Sequence, residues 1–225
     1  MNIGLIVAAG RGYRVGGKLP KQYLPLAGQP ILRHTIKALT KHPAIDAVQV
    51  LIHPDDQLLY DAATAGLEKL LPVAFGGKER QDSARLGLAA IASLTPDTVL
   101  IHDAVRPFIA QETISAVLAV LARGHAAIVG VPLADTLKRV EDQVVTATIS
   151  RSGLWRAQTP QGFIFQDILR AHEHAMRTAP DTDFTDDAMI AEHAGMRVEM
   201  VQGSEDNFKI TTTADLARAE ALLTS

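Results

Sequence analysis

The chain has 225 residues, enough to bury a sizeable core as one large α/β domain or two small ones. Its hydrophobic content of 47% and net charge of −3 exclude a disordered chain and a general nucleic-acid coat. With no cysteine, disulfides and thiolate metal sites are excluded, so any metal must sit on carboxylates, imidazoles or phosphates, in keeping with a reducing cytoplasm.

In chain order, Ile3–Ala8 reads as a buried strand, Ile31–Thr40 as a helix and Ala47–Ile52 as a second strand. Gln57–Leu71 has helical period, Pro72–Phe75 is a short strand, Arg80–Ser93 a helix and Thr98–Ile101 a strand. Glu112–Ala122 and Ala126–Val131 repeat the helix–strand pattern; Phe165–Met176 and Asp186–Ala194 read as helices, Arg197–Val201 as a strand, and Ala214–Leu223 as the closing helix. This alternation predicts an α/β fold, a Rossmann-like three-layer sandwich with a mostly parallel sheet in a single domain over 1–225. Asp135–Ser150, "DTLKRVEDQVVTATIS", instead alternates polar and apolar at period two around Glu141-Asp142-Gln143. It predicts a β-hairpin arm inserted at about 134–156, with too little core to stand alone and so packed on another surface, such as a second subunit. No stretch reaches the roughly 18 uncharged apolar residues of a membrane span, and no basic leader precedes the first strand. A cytoplasmic location is therefore expected, with neither membrane nor nucleic acid as a partner.

Open α/β sheets bind ligands at the carboxyl ends of their strands, which singles out two loops: "AAGRGYRVGGKLPKQY" (8–23) and "HDAVRPF" (102–108). Three phosphate chemistries compete for the first. A dinucleotide fingerprint needs a third glycine where Val15 stands, and no helix follows. Gly12, Gly17 and Lys18 do satisfy G-x-x-x-x-G-K, but Leu19 replaces the hydroxyl residue of a P-loop, and Pro25, Gly28 and Pro30 would break the helix it requires. The third is a glycine-rich loop whose backbone N–H groups wrap a nucleoside triphosphate while Arg14, Lys18 and Lys21 reach its phosphates. A loop this long in a compact domain is functional more often than it is idle.

The stretch "AAGRGYRVGGKLPKQYLPLAGQPIL" resembles the signature of nucleotidyltransferases that join a nucleoside triphosphate to a sugar or polyol phosphate and release pyrophosphate. "GGKERQDSARLGL" (76–88), "HDAVRPF", "ADTLKRV" (134–140), "ISRSGLWRAQTPQGF" (149–163), "TDDA" (185–188) and "EDNFKITTTADL" (205–216) follow in the order and spacing of the 2-C-methyl-D-erythritol 4-phosphate cytidylyltransferase family. The resemblance covers nearly the whole chain. It implies attack by the phosphate oxygen of 2-C-methyl-D-erythritol 4-phosphate on the α-phosphorus of CTP, in isoprenoid precursor synthesis by the non-mevalonate route. It further implies Arg14, Lys21 and Lys209 as catalytic cations and Ala8, Ala9, Gly10, Gly12, Gly77, Lys78, Ser83, Asp103 and Ala104 around the nucleotide. Arg106, Thr136, Arg151, Thr159, Thr185 and Lys209 would hold the second substrate. The same resemblance implies a homodimer in which the arm embraces its neighbour.

Asp103 is the candidate Mg²⁺ ligand, because magnesium takes one or two carboxylates beside phosphate oxygens and water; a helix cap or a salt bridge to Arg106 is the competing role. His102, flanked by apolar residues, reads as hydrogen-bonded structure, and the remaining histidines lack metal spacing. Ser83 either contacts the nucleotide or, like Asp82, caps a helix. Trp155 and Phe163 read as packing at the root of the arm. The chain departs from the family at Val7, where proline is common, and at Val105 in "HDAVRP", without loss of a charged group. "RGYRVGGKLPKQ" also resembles the N-terminal half of bifunctional enzymes fused to a cyclodiphosphate synthase; since the sequence stops at Ser225, no second activity is expected. A ribitol-phosphate or sugar-phosphate nucleotidyltransferase, or a non-catalytic nucleotide-binding regulator, are the rival readings.

Overall fold

The computed structural model of the chain describes residues 1–11, 19–77 and 79–224. The first half runs β1 (Asn2–Ala8), the two-residue strands β2 (Pro25–Leu26) and β3 (Gln29–Pro30), α1 (Ile31–Thr40), β4 (Ala47–Ile52), α2 (Gln57–Thr64), β5 (Ala74–Phe75), α3 (Arg80–Ile91) and β6 (Thr98–Asp103). There follow α4 (Gln111–Leu121), β7 (Ala126–Pro132), the hairpin β8 (Leu137–Glu141) and β9 (Val144–Ile149), β10 (Trp155–Ile164), α5 (Phe165–Thr178), α6 (Asp187–His193), β11 (Val198–Gln202) and α7 (Thr213–Thr224).

Seven strands form one sheet in the order β11-β7-β10-β6-β1-β4-β5. All pairings are parallel except the two made by β10. Successive side chains on a strand point to opposite faces, and the core divides accordingly. Ile6 and Leu100 join Val48, Val50 and the apolar sides of α1, α2 and α4 on one face. Leu5, Val99 and Ile101 join Leu88 and Ile91 of α3 and Ile168 and Ala171 of α5 on the other. Covering both faces produces the three-layer α/β architecture expected from the strand–helix alternation.

The order also locates the ligand crevice. From β1 the chain moves outward to β4 and β5, then returns to β6 on the other side of β1, so the direction of winding reverses between β1 and β6. Such a reversal opens a cleft at the carboxyl ends of the two strands.

Several elements differ from expectation. The helix begun at Gln57 stops at Thr64, because Gly66 takes a left-handed φ of +72° and Leu70 then bridges Val48 at the sheet edge. The apolar residues beyond Thr64 have helical spacing but pack as sheet edge. Strand β6 extends two residues past Ile101, so His102 and Asp103 end the strand rather than begin the loop. The largest difference is β10, antiparallel between β7 and β6, where the motif "LWRAQTPQGF" concealed a strand. Phe163 is accordingly not at the arm's root: it is fully buried opposite Val99, while Trp155, paired with Pro132, is the residue beside the arm.

The hairpin is present, with Leu137 opposite Ile149, Glu141 opposite Val144 and a register shift between Arg139 and Val140. Asp142 and Gln143 both adopt positive φ, 46° and 65°, the conformation that lets a two-residue turn match strand twist.

Candidate active site

The cleft at the β1/β6 switch has a volume of about 380 Å³ and is lined by Ala8, Ala9, Gly10, Lys21, Gln22, Gly77, Glu79, Arg80, Ser83, Asp103, Ala104 and Lys209, among others. One wall is the exit of β1. Gln22, in the short 3-10 turn Lys21–Tyr23, is buried and donates through Nε2 to Ala8 O at 2.7 Å and Gly10 O at 3.2 Å. This staples the start of the glycine-rich loop to its far end and sets Lys21 at the cleft. No α-helix runs through 19–30, so the described part of the segment lacks the long helix a P-loop needs.

The second wall is the entry to α3. A Cβ on Gly76 would stand 2.3 Å from Ala9 Cβ, and one on Gly77 would stand 2.4 Å from Asp82 Cβ, so this close approach requires glycine at both positions. Ser83 is not a helix cap. It lies within α3, accepting from Gly77 N at 3.1 Å and donating to Glu79 O at 3.0 Å, and so fixes the backbone of the Gly-Gly turn. Asp82 likewise lies inside α3, whose N-cap position is Glu79.

The floor is Asp103. Lys209 Nζ and Arg106 Nε each lie 3.1 Å from its Oδ2, and Arg80 Nε lies 3.8 Å from Oδ1. Burial alone would raise the pKa of this carboxyl, but Lys209, Arg80 and Arg106 outweigh it and hold Asp103 well below the ordinary carboxylate range. Lys209 reaches the site because Ile210 N donates to Val105 O at 2.9 Å, docking the segment before α7 onto the end of β6. Among the described residues, the cations lining the cleft, Lys21, Arg80 and Lys209, outnumber its carboxylates, Glu79 and Asp103, the electrostatics of an anion site.

Behind Asp103, β10 departs from its ladder with β7 between Ala157 and Gln161. The Thr159 hydroxyl there accepts from Asp103 N at 3.0 Å and sits 2.9 Å from His102 Nδ1, while His102 Nε2 lies 2.9 Å from Arg106 O. His102 is thus hydrogen-bonded structure, and burial pushes its pKa down to about 4. Within one chain Thr159 is buried and engaged with the end of β6.

Of the residues expected at the site, the cleft gathers Ala8, Ala9, Gly10, Lys21, Gly77, Ser83, Asp103, Ala104 and Lys209. Arg106 stands behind Asp103, with Nη1 donating to Asn207 O at 2.7 Å. Thr185 faces an adjoining cavity beside α3, and Thr136 and Arg151 are exposed at the ends of the hairpin, away from the cleft. Gly12, Arg14 and Lys78 lie outside the described residues. Arg80 and Gln22 escaped sequence reasoning although both lie in blocks quoted for their family pattern; Arg80 precedes Gln81 in "GGKERQDS" and Gln22 follows Lys21. Among the described residues no three His, Asp or Glu side chains form a metal cluster, and no helix is long and apolar enough to cross a membrane. One carboxylate at the floor of an anion site fits a magnesium ion that arrives with phosphate oxygens, not one held by protein alone.

The chain is similar to known proteins in sequence and in fold. The bifunctional enzyme IspD/IspF of Paramagnetospirillum magneticum is 56% identical over 218 residues, covering 97% of this chain and 56% of that protein. The chain thus spans about half the length of the curated relatives it matches. A crystal structure of 4-diphosphocytidyl-2C-methyl-D-erythritol synthase superposes with a TM-score of 0.84 at 31% identity, covering 99% of this chain and 98% of that one. The synthase of the same description from Anaerococcus prevotii gives a TM-score of 0.86 at 28% identity, covering 100% and 96%. The family model for 2-C-methyl-D-erythritol 4-phosphate cytidylyltransferase matches residues 3–225. A cleft at the β1/β6 switch and a match that runs through every block forming it place this chain in the 2-C-methyl-D-erythritol 4-phosphate cytidylyltransferase family.

Proposed function

We propose that the chain transfers a cytidylyl group from CTP to 2-C-methyl-D-erythritol 4-phosphate, giving 4-diphosphocytidyl-2-C-methyl-D-erythritol and pyrophosphate, a step of isoprenoid precursor synthesis by the non-mevalonate route. The observation that carries this reading is the convergence of Lys21, Lys209, Arg80 and Asp103 with the Gly76–Gly77 turn in one crevice. Lys21 and Lys209, with Arg14, act as the catalytic cations. Ala8, Ala9, Gly10, Gly12, Gly77, Lys78, Ser83 and Ala104 border the nucleotide.

A phosphate monoester has a second pKa near 6, so at neutral pH the acceptor is already a dianion and needs no protein base. One acceptor oxygen forms a bond to the α-phosphorus as the bond from that phosphorus to the bridging oxygen of the β-phosphate breaks. Pyrophosphate carries away the electron pair. The protein's task is alignment and stabilisation of the charge developing on the α-phosphoryl group and on the departing pyrophosphate. Lys209, half-exposed above Asp103, is placed to give that stabilisation. A divalent cation, Mg²⁺, would be held by Asp103 and would neutralise phosphate charge.

The acceptor side includes Arg106, Thr136, Arg151, Thr159, Thr185 and Lys209, completed by a second copy of the chain. Val140, Val144 and Val145 are 52%, 64% and 57% exposed on the hairpin, apolar surface that supports a homodimer formed through the arm. The cysteine-free composition supports a cytoplasmic setting.

Pyrophosphate release measured for the four nucleoside triphosphates crossed with methylerythritol, ribitol and sugar phosphates, with and without magnesium, tests the assignment. CTP with 2-C-methyl-D-erythritol 4-phosphate is expected to give the best turnover. A better pair refutes the assignment, and no turnover at all favours a nucleotide-binding regulator. Lys21→Ala is expected to keep the fold and lose about a hundredfold in kcat; near-normal kcat removes Lys21 from its role.

A further inference from the structure

Arg80, the first residue of α3, touches two carboxylates that belong to different parts of the molecule. Its Nε faces Asp103 Oδ1 at 3.8 Å, and its Nη1 lies 2.8 Å from Asp187 Oδ2. Asp187 is fully buried, with His172 Nε2 3.3 Å from its other oxygen. Burial would raise the Asp187 pKa, but Arg80 and then His172 reverse the direction and keep it ionised. A buried carboxylate that loses its cation is left uncompensated at high cost, so Arg80 is tethered to Asp187 at one end while its other end meets the floor of the cleft.

The tethered region is rigid in a way that reaches Thr185. Gln161 Oε1 accepts from Asp187 N and Ala188 N, both at 2.9 Å, and Gln161 Nε2 donates to Asp186 Oδ2 at 2.9 Å. Asp186 caps α6 by accepting from Met189 N at 2.8 Å. Thr185 therefore immediately precedes a fixed pair of carboxylates. The side chain that fixes the second of them also forms part of the wall between the nucleotide cleft and the cavity in which Thr185 lies. Of the three cations on Asp103, Arg80 is the one whose far end reaches this segment; Arg106 is tied instead to Asn207 O.

We propose that Arg80 is a positioning residue: through its paired contacts with Asp103 and Asp187 it couples occupation of the nucleotide cleft to the placement of residues 181–187, and with them the acceptor-side Thr185. The proposal rests on the cytidylyltransferase reading for the identity of the acceptor, but the coupling itself concerns only the nucleotide and this segment.

Single substitutions risk misfolding, because Arg80→Gln removes the guanidinium from the buried Asp187 carboxylate. The decisive variant is Arg80→Gln combined with Asp187→Asn, which removes both charges and strands neither. Its thermal melt is expected to lie closer to that of the unmodified chain than that of Arg80→Gln. The KM for the acceptor phosphate is expected to rise about tenfold or more, as a displaced positioning contact requires, and by a larger factor than any change in the Kd for CTP. Hydrogen–deuterium exchange of 181–187 is expected to slow on adding CTP and magnesium chloride to the unmodified chain, and to be insensitive to them in the double variant. A purely structural role predicts that the double variant recovers normal KM and normal CTP-dependent protection along with its stability; that result overturns the proposal, as does a 181–187 segment indifferent to CTP in the unmodified chain. Absence of turnover with intact CTP-dependent coupling would instead refute the acceptor assignment and leave the coupling standing.

Discussion

Asp103 shows how much one residue's role depends on neighbours far away in sequence. Its place near a strand end is legible from "VLIHD"; the structure adds that the ion pair with Arg106 is present at 3.1 Å and that the carboxylate faces the cleft. Lys209 and Arg80 could not be assigned to it by spacing, because they arrive from segments with no local periodicity linking them to β6. His102, next to it, supplies a pH test. Its pKa falls from 6.5 to about 4 on folding. Between those values the unfolded imidazole binds a proton that the folded one refuses, so the contribution of neutral His102 is complete above 6.5 and disappears as pH falls toward 4. The loss is on the order of 3 kcal/mol from the shift in proton affinity. Urea titrations at pH 7 and pH 4.5 are expected to show a steeper loss of stability in the unmodified chain than in His102→Gln; parallel losses would contradict a buried neutral His102. The paired carboxyl of Asp103, held below its ordinary range, loses its contribution only at lower pH.

At the scale of elements, α1 and β4 occur with the boundaries that periodicity gives them, because an uninterrupted amphipathic helix and a fully buried strand, apolar except at Gln49, leave little choice. Strand β10 was hidden for the opposite reason. Its polar residues Gln158, Thr159 and Gln161 are all buried, satisfied by Ser204 O, by the end of β6 and by the α6 entry, so alternation is lost where the strand carries the site. Gly162 within it packs against α4, and a Cβ there would stand 2.4 Å from Val117 Cγ1. Gly162→Ala is expected to destabilise by about 1–3 kcal/mol through overpacking, read as an earlier urea midpoint with an unchanged slope. An unshifted midpoint would mean that β10 and α4 are less tightly apposed than the geometry requires.

For the whole molecule, the hairpin is the element with no home in the single chain. β8 and β9 pair only with each other, and their apolar valines face outward. Two strands alone are marginal in water, which supports the dimer proposal, and Thr136 and Arg151 at the hairpin's ends would then serve a neighbouring cleft. Replacing Val140, Val144 and Val145 together by Ser is expected to shift sedimentation from dimer to monomer at micromolar concentration and to reduce turnover while leaving Tyr23 and the rest of the core undisturbed. A variant that remains dimeric, or an unmodified chain that sediments as a monomer, would remove the arm from that role.

The sequence by itself determined the layers, the polarity of six strands, the hairpin and the two loops that border the cleft, because hydrophobic period and turn chemistry act over a few residues. Tertiary structure alone decided that β10 wedges antiparallel beside β6, that Thr159 supports the Asp103 backbone, and that Arg80 joins Asp103 to Asp187. Those contacts pair polar groups across 23 to 107 positions of chain, from Arg80 with Asp103 to Arg80 with Asp187. Burial and charge select them only once the sheet has brought the segments together.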